Sequence, residues 1–210
     1  MTPPRVHFFL WLLSQNRLLT RDNLQKRRDV RDPTCLFCAE SETISHLFFN
    51  CCVAVNVWRI ISDMLSVELG CNYESVARFW IANKKHLITN VISSVVLWSL
   101  WKLRNELCFQ GMVWIGMKMV LIRITRMLGG WLSLYKKEVG ELIEGLIVNL
   151  EELSRCPARI EWREEVSTES TSSLVPLGSQ PLADVRSDLF QIESCHKQLD
   201  QTVSTCMHCA

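Results

Sequence analysis

The chain has 210 residues, 48% of them hydrophobic, which excludes a wholly disordered protein and is enough for one domain with a proper core plus an appendage. Its net charge of +1 hides an uneven spread: seven Lys/Arg against three Asp/Glu in residues 1–34, eleven against four in residues 59–137, and five against thirteen in residues 138–210. A basic body suits a polyanionic partner, and an acidic tail would partly screen it.

Residues 4–19 read as a helix that is apolar on most sides, with Val6, Phe9, Leu10 and Leu13 on one face and Phe8, Trp11 and Leu12 widening it. The apolar run at 7–13 is short for a signal peptide, and Gln15, Asn16 and Arg17 follow it where a small-residue cleavage site would stand. Thr20 is the expected N-cap of a short helix over 21–28, with Asp22 in its first turn. Residues 41–49 read as a further short helix, and residues 53–65 as another, with Val57, Ile60, Ile61 and Met64 at helical spacing.

Residues 70–73 form a turn, and residues 74–82 a short helix around Phe79 and Trp80. A long helix is expected over 86–109. Its stretch 87–101 is about 15 residues long and interrupted by Thr89, Asn90, Ser93, Ser94 and Ser99, so it reads as a buried helix rather than a membrane span of about 20 residues. Residues 113–136 suggest a helix weakened by Gly116, Gly129 and Gly130. Residues 138–153 show the clearest amphipathic pattern, with Val139, Leu142, Ile143, Leu146, Ile147, Leu150 and Leu153 on one side. Residues 157–210 lack periodicity, are rich in Ser, Thr, Pro and acid in their first half, and read as largely disordered. No alternating strand run appears. The expected class is all-α: a small metal-stapled module over 3–60, a helical extension over 74–156, and the tail.

The ten cysteines carry no secretion signal with them, so the expected compartment is intracellular and reducing, nucleus or cytoplasm, where clustered thiols favour metal over disulfides. The clearest constellation is Cys35-x2-Cys38-x7-His46-x4-Cys51. A two-residue gap lets both thiolates of the first pair turn onto one cation. Soft sulfur with imidazole in a Cys3His set favours one structural, tetrahedral zinc ion closed to water. His46 and Cys51 lie five apart and would point about 140° apart on one continuous α-helix, so one of them must sit at a helix end or in a turn. Cys52 offers a thiol at a similar distance, and spacing alone leaves Cys51 and Cys52 as alternatives.

These residues also carry a resemblance. The runs Pro4-Arg5-Val6-His7-Phe8-Phe9-Leu10-Trp11 and Arg17-Leu18-Leu19-Thr20-Arg21-Asp22-Asn23-Leu24, the pair Cys35-x2-Cys38, and Glu42-Thr43-Ile44-Ser45-His46-Leu47-Phe48-Phe49-Asn50-Cys51, ending at Val57-Trp58, resemble the zinc-binding domain of plant non-LTR retrotransposon reverse transcriptases. Leu97-Trp98-Ser99-Leu100-Trp101-Lys102-Leu103-Arg104-Asn105-Glu106 is similar to the W-x-x-W-x-x-R-N segment that commonly follows. The resemblance covers about residues 3–110. It implies Cys35, Cys38, His46 and Cys51 as ligands, with Cys52 standing where that family commonly has proline. It also implies a polymerase upstream and often a ribonuclease H downstream. Neither is recognisable in these residues, so the chain is expected to be a detached piece of a longer polyprotein.

Two function classes follow. In the first, the chain is a nucleic-acid-binding accessory module in which Arg17, Arg21, Lys26, Arg27, Arg28 and Arg31 contact the phosphates of RNA or DNA, with Arg104 adding to that surface. In the second, it is a zinc-stabilised structural or interaction fragment with no retained function, whose Phe8, Trp11 or Trp58 would form an apolar patch facing an absent reverse transcriptase domain. No membrane partner is expected. Catalysis is not expected either, because no local motif pairs Cys71, Cys108 or Cys156 with His7 or His86. An alternative role for Arg104 and Asn105 is to satisfy backbone groups of a neighbouring turn. Cys195, His196, Cys206, His208 and Cys209 are metal-capable types in a spacing that matches no known module.

Overall fold

A computed structural model describes residues 2–30, 32–38, 40–80 and 85–155. The expectations for the tail, for its Cys/His set and for Arg31 lie outside these residues. The described part is helical, with one isolated antiparallel bridge between Thr34 and Ser41 and no strand among the described residues. Its helices are α1 (Pro4–Ser14), α2 (Arg21–Gln25), α3 (Cys52–Leu65), α4 (Tyr73–Ala77), α5 (Leu87–Phe109), α6 (Lys118–Trp131) and α7 (Lys137–Arg155). A π-helical turn, His46–Asn50, precedes α3, and a 3-10 turn, Leu132–Leu134, follows α6.

Helix α1 stops five residues short of the expected end. Asn16 takes φ 51° there, the left-handed conformation that asparagine tolerates best after glycine. Asn16 N–H then donates to Leu13 O, and Arg17 N–H to Leu12 O, closing the helix end. Helix α6 starts five residues late for a related reason. Gly111 and Gly116 have φ 65° and 119°, so the chain between them does not wind into a helix. Helix α4 ends at Ala77 rather than near 82, and it begins with a reciprocal cap between Asn72 and Ser75.

Helix α5 is the centre of the fold and packs against α1, α3, α6 and α7. Val91, Ile92, Val95, Val96, Leu97, Leu100 and Leu103 are buried around its circumference. Two of its buried hydroxyls are accommodated locally: Ser93 and Ser94 both donate to Asn90 O, at 3.2 and 2.7 Å. The Trp-rich end of α5 meets the N-terminal segment through aromatic rings. Phe9 lies 5.0 Å from Trp98 and 6.3 Å from Trp101, and Phe48 lies 6.4 Å from Trp101, centroid to centroid.

Helices α6 and α7 cover the other side of α5 through Leu121, Ile124 and Leu128, with Ile143 and Leu150 behind them. The apolar face of α7 is wider than the strip it buries, and Leu142 remains exposed. No described helix is long and apolar enough to cross a membrane.

Candidate metal centre

The chain approaches the centre through a loop closed on itself. Cys35 N–H donates to Glu40 O at 2.7 Å and Glu42 N–H to Pro33 O at 2.8 Å, flanking the Thr34–Ser41 bridge. Phe37 N–H points at Cys35 Sγ, 3.5 Å away, in the tight knuckle that a two-residue gap allows. The second half of the site is built by a change of helical pitch. Thr43 Oγ1 accepts from His46 N–H at 3.0 Å and starts the turn, and Cys51 N–H donates to His46 O at 2.7 Å. That last bond spans five residues, the signature of a π-turn. A wider turn carries residue i+5 back over residue i, so His46 and Cys51 face one point although an α-helix would separate them. Cys51 is also the N-cap of α3, where the positive end of the helix dipole favours a thiolate.

The donor atoms of Cys35, Cys38, His46 and Cys51 all lie within 4.8 Å of one another. Cys51 Sγ is 3.9 Å from Cys35 Sγ and 3.8 Å from Cys38 Sγ. Four thiolate-type donors at about 2.3 Å from one zinc ion stand about 3.8 Å apart at the corners of a tetrahedron. The sulfur edges therefore match zinc, while the Cys38 Sγ to His46 Nε2 edge, 3.1 Å, is shorter. Cys35 and Cys51 are buried and Cys52 is exposed, so the thiol brought into the cluster is that of Cys51.

Without a metal the thiols ionise unequally, and Cys52, taking a hydrogen bond from Cys51, is itself brought down to about 6. A hydrogen bond from Cys51 brings the Cys35 thiol down to about 6, against its burial. Burial pushes Cys38 up to about 11. Cys51, donating to Cys35 and crowded by Cys52, is held far above the ordinary thiol range. The cluster by itself keeps one thiolate and holds back the others, and a dication is what lets all three sulfurs ionise together.

A buried ion pair lies beside the centre. Glu42 accepts from Arg104 Nε at 3.1 Å and from Arg104 Nη2 at 2.6 Å, with both side chains inaccessible to solvent. The same carboxylate accepts from Arg21 N–H at 2.9 Å, so Glu42 supplies the cap of α2 that Thr20 was expected to give. Thr20 Oγ1 is turned to Asp22 Oδ1 instead, at 2.6 Å. Arg104 also lies over the Trp101 ring at 5.4 Å and donates to Asn105 Oδ1 at 3.2 Å. Burial opposes the arginine charge, and Glu42 more than offsets it, so the guanidinium stays protonated above its ordinary range. Arg104 thus corrects both expectations for it: it is neither a surface cation nor a partner of neighbouring backbone, but the counter-ion of a carboxylate 62 positions upstream. An acid at the edge of an uncharged apolar stretch, and an arginine following two tryptophans, were the signals in the sequence.

The basic residues divide in the same way. Arg21 is buried, paired with Asp32 at 2.7 Å and bonded to its carbonyl, so its charge is spent inside the module. Arg17, Lys26 and Arg27 are exposed and Arg28 half-buried. Asn23 explains why the segment between α1 and α2 is shaped as it is, since its buried amide donates to Leu18 O and Asn16 O. Of the three aromatic residues expected on a patch, Phe8 and Trp11 are exposed and stacked at 5.8 Å. Trp58 is instead buried, with its indole N–H on Phe48 O at 2.7 Å.

Residues 1–58 match the family model described as zinc-binding in reverse transcriptase. Over this segment the chain is similar to the zinc-binding domain of reverse transcriptases. Its Cys3His cluster fits one structural zinc ion, which when bound would supply cross-linking rather than reactivity. Cys35 and Cys38 hold it from the knuckle, His46 and Cys51 from the π-turn. No curated protein and no solved structure matches the chain.

Proposed function

We propose that the chain is a nucleic-acid-binding accessory module derived from a retrotransposon reverse transcriptase, without catalysis of its own. The observation that carries this reading is the exposed basic group at the module surface. Arg17, Lys26, Arg27 and half-buried Arg28 meet no carboxylate among the described residues, whereas Arg21 does. Unpaired cations beside a rigid metal knot suit phosphate contacts, which position a polyanion without reading its sequence. A closed set of four protein donors leaves zinc no position for a reactive water. The plant, non-LTR origin and the partnership with a polymerase domain belong to this proposal, as the finer part of the resemblance.

Fluorescence anisotropy with labelled RNA and DNA strands across a salt series tests it. Affinity should fall steeply with salt. Replacing Arg17, Lys26, Arg27 and Arg28 by alanine should flatten the logarithmic slope by about 0.7–0.9 per lost phosphate contact. No binding at low salt, or an unchanged slope in the four-residue variant, would sink the reading.

The exposed Phe8–Trp11 stack favours a second reading, an interaction fragment whose zinc only holds the helices together. A protein that stays monodisperse at high concentration, and whose behaviour is unchanged by Phe8→Ser with Trp11→Ser, would count against it.

A further inference from the structure

Helix α7 carries two apolar rows, and only one of them is spent on the core. In the first row, Ile143, Leu150 and Ser154 are buried and Ile147 is half-buried. The second row runs beside it as Val139-x2-Leu142-x3-Leu146-x2-Asn149-x3-Leu153. Val139, Leu146 and Leu153 are half-buried at the edge of the core, whereas Leu142 is 61% exposed and Asn149 is exposed. No hydrogen bond engages the Asn149 side chain among the described residues.

The spacing of the second row is the informative feature. Gaps of three and four alternate along its whole length, which is the 3.5-residue period of a seam between two wound helices. The lone polar position in that seam is Asn149, set between Leu146 and Leu153.

We propose that this row is a docking surface for a second copy of the chain, with the two α7 helices side by side, parallel and in register. Asn149 identifies the occupant. An asparagine inside an apolar seam is satisfied by another asparagine, and an in-register parallel pair sets Asn149 against its own copy across the two-fold axis. An antiparallel pair centred on the row would oppose Asn149 to Leu142 and leave its amide unpaired. The acids discriminate in the same direction. Glu138 and Glu152 flank the row on the side away from Ile143 and Leu150. An antiparallel pair would bring those carboxylates together, whereas a parallel pair sets that flank against the uncharged Ile143–Leu150 side. An unrelated helix would have to supply an amide at one given place, and a second copy supplies it by symmetry. The seam spans a helix of only 19 residues, so the association is weak and reversible. This inference is independent of the nucleic-acid reading.

The test uses the full zinc-loaded chain in sedimentation velocity over a micromolar concentration series. The expected result is a monomer–dimer equilibrium. Leu142→Lys, at an exposed position, should abolish the dimer and leave helicity and the thermal midpoint unchanged. Asn149→Asp sets two carboxylates against each other and should weaken the dimer by about tenfold or more. Orientation is read from the unaltered chain. A mixture of isotope-labelled and unlabelled protein, treated with a short amine cross-linker, should yield peptides joining two Lys137 side chains from different copies. In an antiparallel pair the length of α7 would hold those ends about 27 Å apart, beyond such a reagent. A monomer at every concentration would overturn the proposal, and so would a dimer that survives Leu142→Lys. A dimer without the Lys137–Lys137 product would overturn the parallel register. A monomer destabilised by Leu142→Lys would show the row covered within one chain, and overturns the proposal equally.

Discussion

The segment around the metal and the layer formed by α6 and α7 hide their interiors by different means. In α6 and α7 the buried side chains are mostly aliphatic, and most charged groups stay at the surface, as in the pairs Lys137–Glu141 and Arg155–Glu151, the exception being Arg123, part-buried against Glu106 of α5. Around the centre, residues 17–58 bury Arg21, Asn23, Glu42 and two cysteines alongside Phe48 and Trp58. The first arrangement draws on area removed from water, which tolerates small errors. The second depends on named partners, and each loss leaves a charge or donor stranded. The zinc-binding segment should therefore fail sharply and locally, and the α6–α7 layer gradually.

The widest gap between the two should follow removal of the metal. Structural zinc supplies an apparent 10–16 kcal/mol in small zinc-finger peptides at neutral pH. Chelation, or His46→Ala, should strip the ion in native mass spectrometry. Amide exchange should then accelerate through residues 17–58 far more than through α6 and α7. Uniform acceleration across the chain would erase the distinction.

Breaking the buried ion pair should come next. Arg104→Met leaves Glu42 buried without a counter-ion and should lower stability by about 3–5 kcal/mol in denaturant titrations. Glu42→Leu combined with Arg104→Met should recover part of that loss. Because Glu42 also caps α2, recovery should be incomplete. Full recovery would show that the carboxylate serves Arg104 alone.

Acid should act on the metal segment first. Cys35, at about 6, is largely ionised at neutral pH, whereas Cys38, at about 11, and Cys51 hold protons that zinc must displace. Affinity therefore falls as pH falls, by about a hundredfold per unit between pH 7 and 9 if two protons leave per ion, and more steeply below 6 as Cys35 is protonated too. Competition titrations with a chromophoric chelator at several pH values measure this slope. A slope near zero would show that the thiols are already ionised without the metal.

The smallest effect expected is in the loop between α3 and α4, which rests on Trp58 of the metal segment. Gly70 has φ 82°, and a Cβ there would lie 1.9 Å from Trp58 Cγ. Gly70→Ala should cost about 2 kcal/mol through overpacking and backbone strain, and it should alter Trp58 emission. No change in emission would place the adjustment in the backbone rather than the indole.

The sequence made the donors legible because metal chemistry constrains type and spacing locally. It also showed that His46 and Cys51 could not share an α-helix. It did not show the remedy, since a π-turn is stabilised by burying Leu47, Phe48 and Phe49 against elements far along the chain. The row of cations was legible as charge but not as surface. Nothing near Arg21 distinguishes it from Arg27 until Asp32 folds back onto it. The long helices α5 and α7 were read closely because they follow hydrophobic period, whereas the end of α1 and the start of α6 were misplaced where Asn16 and Gly116 adopt positive φ. The Glu42–Arg104 pair spans 62 positions, beyond the reach of any local pattern.

That pair also separates kinship from self-sufficiency. The stretch that the family model matches ends at Trp58, but its buried acid is neutralised from α5, and Phe9 rests on tryptophans from the same helix. A fragment cut after Trp58 would keep all four donors and lose the cation that makes Glu42 tolerable. The smallest piece able to stand alone thus extends through Arg104, and an excised finger would need its acid replaced before it could serve as a portable part.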